Sequence, residues 1–400
     1  MSLSVDRVRA GVLPIETWSP SAARNVTFRY VDISSVDRES KSIVGVRELP
    51  VEDAPSRARQ VLRTGDVLVS TVRPNLNTVA IVPEALDGAI GSTGLTVLRA
   101  NPKRLLPRYI FHWVRSPAFI ADMIKKATGA SYPAISDRIV LESHMPMQRV
   151  DDQQRIVDIL DKADAIRRKR KEAIALAEAL LRSAFLEMFG DPMTNPKGWP
   201  SESIEDLCLR GASLVDGPFG STLKPEHYVS AGVKVVRNWN IYDDRFDATE
   251  FKYVAPSKFE EIRRSEVVVG DVLITTKGTV GDVCVAPDLA GPAVLSASGT
   301  ARLRVPPDGT YLPEFVVAQM TFPSFKRYLH TFEAGSAQQY LNLSAIRKMR
   351  LVRPPADHQR AFRRFGERLR ATSGRTSAAY NESDRIFGSL MERLFAARPT

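Results

Sequence analysis

Cysteine is nearly missing from this 400-residue chain; the two present, Cys208 and Cys284, stand in unrelated surroundings. No disulfide framework can be built from them, so both are expected to pack as small hydrophobic side chains in a reducing compartment. No run approaches the roughly 18 uninterrupted apolar residues of a membrane-spanning helix. The opening stretch, Met1-Ser2-Leu3-Ser4-Val5-Asp6, has neither the basic nor the apolar region of a secretory signal. A soluble, cytoplasmic protein with no membrane partner is the expectation.

Catalytic signatures are missing too. There is no G-x-x-x-x-G-K-[ST] loop to cradle a nucleotide phosphate, no G-x-G-x-x-G after a strand and no G-x-S-x-G elbow. The five histidines (His112, His144, His227, His330, His358) have no cysteine or carboxylate partners at ligand spacing, so no metal is expected. An adenine methyltransferase needs an Asn/Asp-Pro-Pro-aromatic run. The Pro-Pro pairs here, Val305-Pro306-Pro307-Asp308 and Arg353-Pro354-Pro355-Ala356, do not fit. Glu39-Ser40-Lys41 resembles the end of a nuclease carboxylate-x-Lys motif, but such triplets are common. Neither catalytic residues nor a bound cofactor are expected.

What the chain has in excess is positive charge: net +10, against an ordinary 26% of charged residues. That surplus speaks of partners and solubility, and favours nucleic acid or another anionic surface. At 44% hydrophobic, the chain has enough apolar material for two or three cored domains.

The chain also says nearly the same thing twice. Gly65-Asp66-Val67-Leu68, followed by Val69-Ser70-Thr71, returns 205 residues later as Gly270-Asp271-Val272-Leu273, followed by Ile274-Thr275-Thr276. Further matches come in the same order: Leu98-Arg99 with Leu303-Arg304, Leu106-Pro107 with Leu312-Pro313, Ser116-Pro117-Ala118-Phe119 with Phe322-Pro323-Ser324-Phe325. Gln154-Arg155 then pairs with Gln359-Arg360, and Met188-Phe189 with Leu394-Phe395. The period is too long for a solenoid or propeller, so this is a tandem duplication.

Each copy opens with short β-rich runs between turn residues. In the first, Asp66 to Ser70, Val79 to Val82 and Leu95 to Leu98 read as strands. In the second, Val233 to Arg237, Val267 to Thr275, Val280 to Ala286 and Ala301 to Val305 do. Helices are expected around Arg108 to Lys126 and Pro313 to Leu329. Each copy then ends in a long helix. Asp152 to Phe189 holds no Gly or Pro. Its apolar residues at Ile156, Ile159, Ala163, Ile166, Ala173, Ala177, Leu180 and Ala184 trace a heptad seam. Its ~38 residues make a rod of roughly 55 Å. The second helix, from about Asp357 to Ala396 through Phe362, Phe365, Leu369, Thr372, Thr376, Ala379, Ile386, Leu390 and Leu394, is less regular. Gly374 and Gly388 inside it predict a bend or fraying. Antiparallel packing of the two rods would bury both seams and carry the globular parts to opposite ends; each packing on its own domain, or on another chain, is the alternative. The expected architecture is α+β: two tandem pseudo-symmetric α/β domains (1–150 and 191–355) joined by long helices (151–190 and 356–400).

This arrangement resembles the specificity subunit of type I restriction-modification systems, over essentially the whole chain. The likeness is carried by Asp152-Gln153-Gln154-Arg155-Ile156-Val157-Asp158-Ile159-Leu160-Asp161-Lys162-Ala163-Asp164 and Phe185-Leu186-Glu187-Met188-Phe189-Gly190. Gly217-Pro218-Phe219-Gly220-Ser221-Thr222-Leu223-Lys224 and Gly335-Ser336-Ala337-Gln338-Gln339-Tyr340-Leu341-Asn342-Leu343-Ser344 add to it. The first copy lacks a clear counterpart of Gly217-Pro218-Phe219-Gly220. The resemblance implies two target recognition domains, each reading half of a split double-stranded DNA sequence, with the helices as spacer. It further implies docking of two modification subunits, which carry S-adenosylmethionine and methylate adenine N6, and of two restriction subunits, which use ATP and Mg. The chain itself would be noncatalytic. Independently, a rod of roughly 55 Å exceeds one B-DNA turn of about 34–36 Å, enough to place two modules on separate half-sites.

Candidate DNA-contacting residues follow from residue type and position. Lys277, beside Gly278, and Arg73, before Pro74-Asn75, are loop cations suited to phosphate or a guanine edge; solvated loop charges are the plain alternative. Arg237, Asn238 and Asn240 surround Trp239, and their amides could pair with adenine or simply cap a turn. Gln338, Gln339 and Tyr340, and Ser131 with Tyr132 after Gly129, form polar loops able to enter a groove. Ser221, Thr222 and Lys224 could contact phosphates. The Arg167-Arg168-Lys169-Arg170-Lys171 run reads as a solvated helix face or one lying over spacer DNA, and Phe185, Met188 and Phe189 as helix-end anchors. Two other readings compete: a coiled-coil scaffold with incidental charge, and a recognition region detached from a fused restriction-methylation enzyme.

Overall fold

The repeated Gly-Asp motif builds the same turn in both copies. Gly65 and Gly270 both sit at φ +86°, where a side chain would be strained. The aspartate that follows is buried, and its carboxylate accepts the backbone N–H three residues upstream, Arg63 (2.8 Å) or Val268 (2.9 Å). The repeated arginine closes the unit: Arg99 Nε lies 2.9 Å from Asp66 and Arg304 Nε 2.8 Å from Asp271. The strongest sequence repeat is thus a buried carboxylate held by a turn and a guanidinium on the neighbouring strand.

The computed structural model describes residues 5–20, 27–218, 220–297, 299–333 and 339–395, so Gln338 lies outside the described residues. The chain divides into two compact units, Met1–Glu172 with Thr376–Thr400 and Ala173–Arg375.

In unit 1, one sheet orders Val12–Leu13, Leu95–Ala100, Val67–Ser70 and Val79–Ile81. A second orders Arg47–Pro50, Thr27–Val31, Ile90–Ser92 and Ala58–Val61. Unit 2 repeats the first with Ser213–Asp216, Thr300–Arg304, Val272–Thr275 and Val283–Val285. It repeats the second with Lys252–Val254, Val233–Val236, Ala293–Leu295 and Glu266–Val267, adding Tyr228–Val229 at one edge. The register agrees: Val67 faces Leu98, and Val272 faces Leu303. Among the described residues each unit has one parallel pair, Thr27–Val31 with Ile90–Ser92 and Val233–Val236 with Ala293–Leu295.

Three expectations about where elements begin and end need correcting. The run read as one strand from Val267 to Thr275 is two strands in different sheets, because the turn at Gly270 breaks it and leaves Val268 and Val269 exposed. Each helical patch is a pair of helices, Pro107–Trp113 with Pro117–Lys126 and Pro313–Met320 with Pro323–His330, since the proline opening each second helix cannot continue the first. The second long helix is continuous from Ala356 to Phe395 through Gly374 and Gly388, around which there is open space.

The long helices pack antiparallel within each unit. In unit 1, Arg170 donates to the Ala379 carbonyl (2.6 Å) and Arg167 pairs with Asp384 (3.0 Å). In unit 2, Phe185 meets Phe362 edge to face (5.6 Å between centroids), while Leu181 approaches Gly366. The packed face of the first helix (Val150–Phe189) differs from the expected seam. Ile156, Ala163, Ala177 and Ala184 face inward as read, but Ile159, Ile166, Ala173 and Leu180 are exposed, and Leu160, Arg167, Ile174 and Leu181 take their places. Arginines at inward positions disguised the register; Arg167 packs its guanidinium 5.1 Å over the Phe387 ring. On the second helix, Gln359, Phe362, Gly366, Leu369, Ser373, Thr376, Tyr380, Ser383 and Phe387 follow strict three-four spacing along the less exposed face.

The helix ends anchor the cores. Phe185 and Phe189 are buried in unit 2 against Phe315 and Phe362, each such ring contributing roughly 2–3 kcal/mol by burial. Phe395 fills the matching place in unit 1, 5.2 Å from Tyr109. Gly190, at φ +78°, ends the first helix, and Trp199 Nε1 donates to the Phe189 carbonyl (3.0 Å).

Candidate nucleic-acid interface

One corner recurs in both units at the end of the central strand. In unit 1, Val72 bridges Ala134, Thr71 N–H donates to Gly94 O (3.0 Å), and Ile135 N–H donates to Thr71 O (2.8 Å). In unit 2, Lys277 bridges Tyr340, Thr276 N–H donates to Gly299 O (2.8 Å), and Leu341 N–H donates to Thr276 O (3.0 Å). The structural counterpart of Lys277 is therefore Val72, and that of Arg73 is Gly278, as the 205-residue offset of the Gly-Asp motif requires, so the two loop cations do not occupy equivalent positions. Arg73 (φ +50°) and Gly278 (φ +84°) share left-handed backbone. For arginine that conformation costs about 1 kcal/mol or more, a strain that concentrates at functional positions.

Four predicted residues meet at the unit 1 corner. Arg73 N–H donates to Pro133 O (2.7 Å), and the Arg73 guanidinium lies 4.6 Å over the ring of Tyr132, which is 68% exposed. Ser131 precedes that ring and Asn75 opens the next turn; both are exposed. Gly129 (φ +98°) makes the loop possible, since a Cβ there would come within 2.9 Å of Tyr132 O.

At the unit 2 corner, Lys277, Gln339 and Tyr340 are exposed. Asn238 reaches in from the neighbouring sheet: its Nδ2 would lie 2.9 Å from a Cβ on Gly278. Arg237 folds over Trp239, 3.4 Å from the ring centroid. Asn240 is a correction. It is buried, its Oδ1 accepts Arg237 N–H (2.9 Å), and its Nδ2 donates to Asp247 O and Glu250 O (both 2.9 Å). With its amide spent on the backbone, Asn240 offers nothing to a base.

Ser221, Thr222 and Lys224 lie on a separate loop pinned by buried Leu223. Lys224 N–H donates to His227 Nδ1 (3.0 Å), and no hydrogen bond or ion pair joins this loop to Lys277 or Tyr340 among the described residues. The loop's entry is sterically exact: a Cβ on Gly217 would lie 1.6 Å from Ser296 O, so only glycine fits.

Sequence reading missed a buried polar cluster between the unit 1 domain and its helices. Arg115 is sandwiched between Phe111 (4.8 Å) and Phe387 (5.3 Å) and pairs with buried Asp164 (3.1 Å), which Arg167 also reaches (2.9 Å). Burial pushes the Asp164 carboxyl up, but Arg115 and Arg167 outweigh it and hold it down at about 2. Burial lowers His112 to about 4 despite its 2.6 Å bond to Asp161, so the neutral ring donates through Nε2. Acidic residues three apart on the inward helix face, Asp161 and Asp164, were the available signal. Unit 2 has Ala318, Thr321 and Arg370 in place of His112, Arg115 and Asp164. It keeps a cavity of about 250 Å³ there, floored by Phe185, Phe322 and Phe362. Of the run read as a solvated face, Arg168, Lys169 and Lys171 are exposed as expected, Lys171 beside Glu39 at 2.6 Å, whereas Arg167 and Arg170 are half-buried and bonded to the second helix.

No helix of the described residues is long and apolar enough to cross a membrane, and none of their His, Cys, Asp and Glu side chains group to hold a metal.

No protein-family model matches the chain. It is 27% identical over 175 residues to the Type I restriction enzyme HindI specificity subunit of Haemophilus influenzae, covering 42% of this chain and 38% of that protein. The chain thus matches less than half the length of that curated relative. A solved structure of the type I restriction-modification system, described in terms of complex assembly and conformational transition, is similar over 99% of this chain and 98% of its own, with 25% identity and a TM-score of 0.57. The type I restriction-modification S subunit of M. genitalium shares the fold (TM-score 0.58, 100% and 97% coverage) at 12% identity. Likeness in sequence and a fold shared over the whole chain make the specificity subunits of type I restriction-modification systems this chain's relatives.

Proposed function

We propose that this chain is the noncatalytic DNA-recognition subunit of a type I restriction-modification enzyme. Residues 1–150 and 191–355 act as two target recognition domains, each reading one half of a bipartite site on double-stranded DNA. One observation carries the reading: the duplication survives as the same hydrogen-bonded corner in each unit, presenting exposed polar and cationic side chains that differ between copies. An identical scaffold with different tips is what reading two different half-sites requires. The net charge of +10 supplies the sequence-independent phosphate attraction.

The long helices space the domains and dock two modification subunits. Exposed apolar residues on the first helix support this: Ile159 and Ile166 in unit 1, Leu176 and Leu180 in unit 2. Ile159, Ile166 and Leu180 recur at multiples of seven residues, so they share one helix face that a modification subunit can cover. S-adenosylmethionine belongs to those subunits, and ATP with Mg to two restriction subunits; the complex works on DNA in the cytoplasm. Long-read methylation mapping in cells carrying the chain and its neighbouring modification subunit tests the reading. A split motif with adenine methylation in both halves, lost when the chain is omitted, supports it; unchanged methylation without the chain overturns it.

A further inference from the structure

Nine cation–aromatic contacts occur among the described residues, and in most the cation is also bonded elsewhere. Arg47, Arg108, Arg115, Arg167 and Arg263 each pair with a carboxylate, and Lys234 donates to the Leu289 carbonyl. Arg73 and Arg237 are different. Each lies on an aromatic ring, Tyr132 or Trp239, and neither guanidinium donates to any described residue. Both sit at the recurring corner of their unit. They reach it from different positions: Arg73 from the left-handed residue itself, Arg237 from the strand end whose next residue, Asn238, touches the matching Gly278.

Stacking engages the face of a guanidinium and leaves its edge free. It also fixes the plane, and a fixed plane with a free edge matches the paired O6 and N7 acceptors of guanine in the major groove. A phosphate, approached from many directions, needs no such restraint.

Resting on the recognition function above, we propose that Arg73 and Arg237 are specificity-determining residues, each reading a guanine in the half-site of its own unit. The aromatic partner holds the fork in plane. Tyr132 and Trp239 are positioning residues, and the rest of the loop supplies phosphate contacts.

The experiment maps methylated motifs in cells expressing the chain and its modification subunit, with Arg73→Lys, Arg73→Ala, Arg237→Lys and Arg237→Ala. Lysine keeps the charge but loses the fork, so it serves where alanine fails to assemble. The expected result is that each variant accepts other bases at one guanine position of one half, a loss of discrimination of roughly tenfold or more, while the other half is read unchanged. A lysine variant with the unaltered motif, or an alanine variant weakened equally at all sites with a shallower salt dependence, makes the residue a phosphate contact and overturns the proposal. If the unsubstituted complex methylates no split motif, it is the recognition function that fails.

Discussion

Gln153 and Gln359, buried at the start of the two long helices, make the same three hydrogen bonds. Gln153 Oε1 accepts Leu106 N–H (3.0 Å) and its Nε2 donates to Arg104 O (2.7 Å) and Gln148 O (2.8 Å). Gln359 does likewise with Leu312 N–H (2.9 Å), Thr310 O (2.9 Å) and Pro354 O (2.8 Å). The amide ties each helix to its domain. It also sets the repeat register here at 206, pairing Gln153 rather than Gln154 with Gln359. Gln153→Leu or Gln359→Leu keeps the volume but strands three buried backbone groups, and is expected to cost about 3 kcal/mol or more. Urea unfolding of the purified chain measures it; a cost under about 1 kcal/mol contradicts this role.

Acid should loosen unit 1 in two stages. His112 has a folded pKa of about 4, below its ordinary 6.5, so the unfolded chain takes up the proton first. Stability is complete above pH 6.5 and falls between 6.5 and about 4, by about 3 kcal/mol. Asp164, lowered to about 2 from 3.8, adds a further loss as pH falls through that lower range. His112→Gln is expected to flatten the upper stage when unfolding is followed against pH. An unchanged slope above pH 4 in that variant contradicts the assignment.

Asn240→Ala separates structure from recognition. It leaves Arg237 N–H and two carbonyls without their partner, so a loss of about 2–3 kcal/mol is expected. In any complex that still assembles, no motif position other than the one read by Arg237, whose backbone Asn240 holds, should change. A motif relaxed at the guanine that Arg237→Lys also relaxes would mean that Asn240 acts by holding the Arg237 backbone, whereas relaxation at a different position would return Asn240 to the reading surface.

Much of this was legible in the sequence. The duplication, the unbroken first helix and the strand after Asp66 follow from repeated residues, Gly and Pro placement, and alternation, whereas the break at Gly270 within the run read as one strand did not. Their side-chain roles did not. The register of the packed helix face was hidden because Arg167 and Arg170 occupy inward positions while Ile159 and Ile166 point outward, so hydrophobicity alone selected the wrong neighbours. Of the candidate site, Arg73 with Tyr132 and Lys277 with Tyr340 were named separately. Residues 59 and 63 positions apart give no sequence sign of meeting. Asn240 looked like its neighbour Asn238, and only tertiary burial tells them apart.

The exposed helix residues yield a contrast between stability and assembly. Ile159→Glu combined with Leu180→Glu should leave the chain's own stability within about 0.5 kcal/mol. The same pair should weaken capture of the modification subunit at least tenfold, measured by titration of one purified subunit into the other. Unchanged capture would place the docking surface elsewhere.

The most direct test of the central claim is an exchange. Residues 191–355 are replaced by the corresponding stretch of a relative with a different motif, and the methylated sequence is mapped in cells with the same modification subunit. One half of the motif should change while the other half and the spacing stay as they were. A motif altered in both halves, or in neither, from a complex that assembles would contradict two independent reading units.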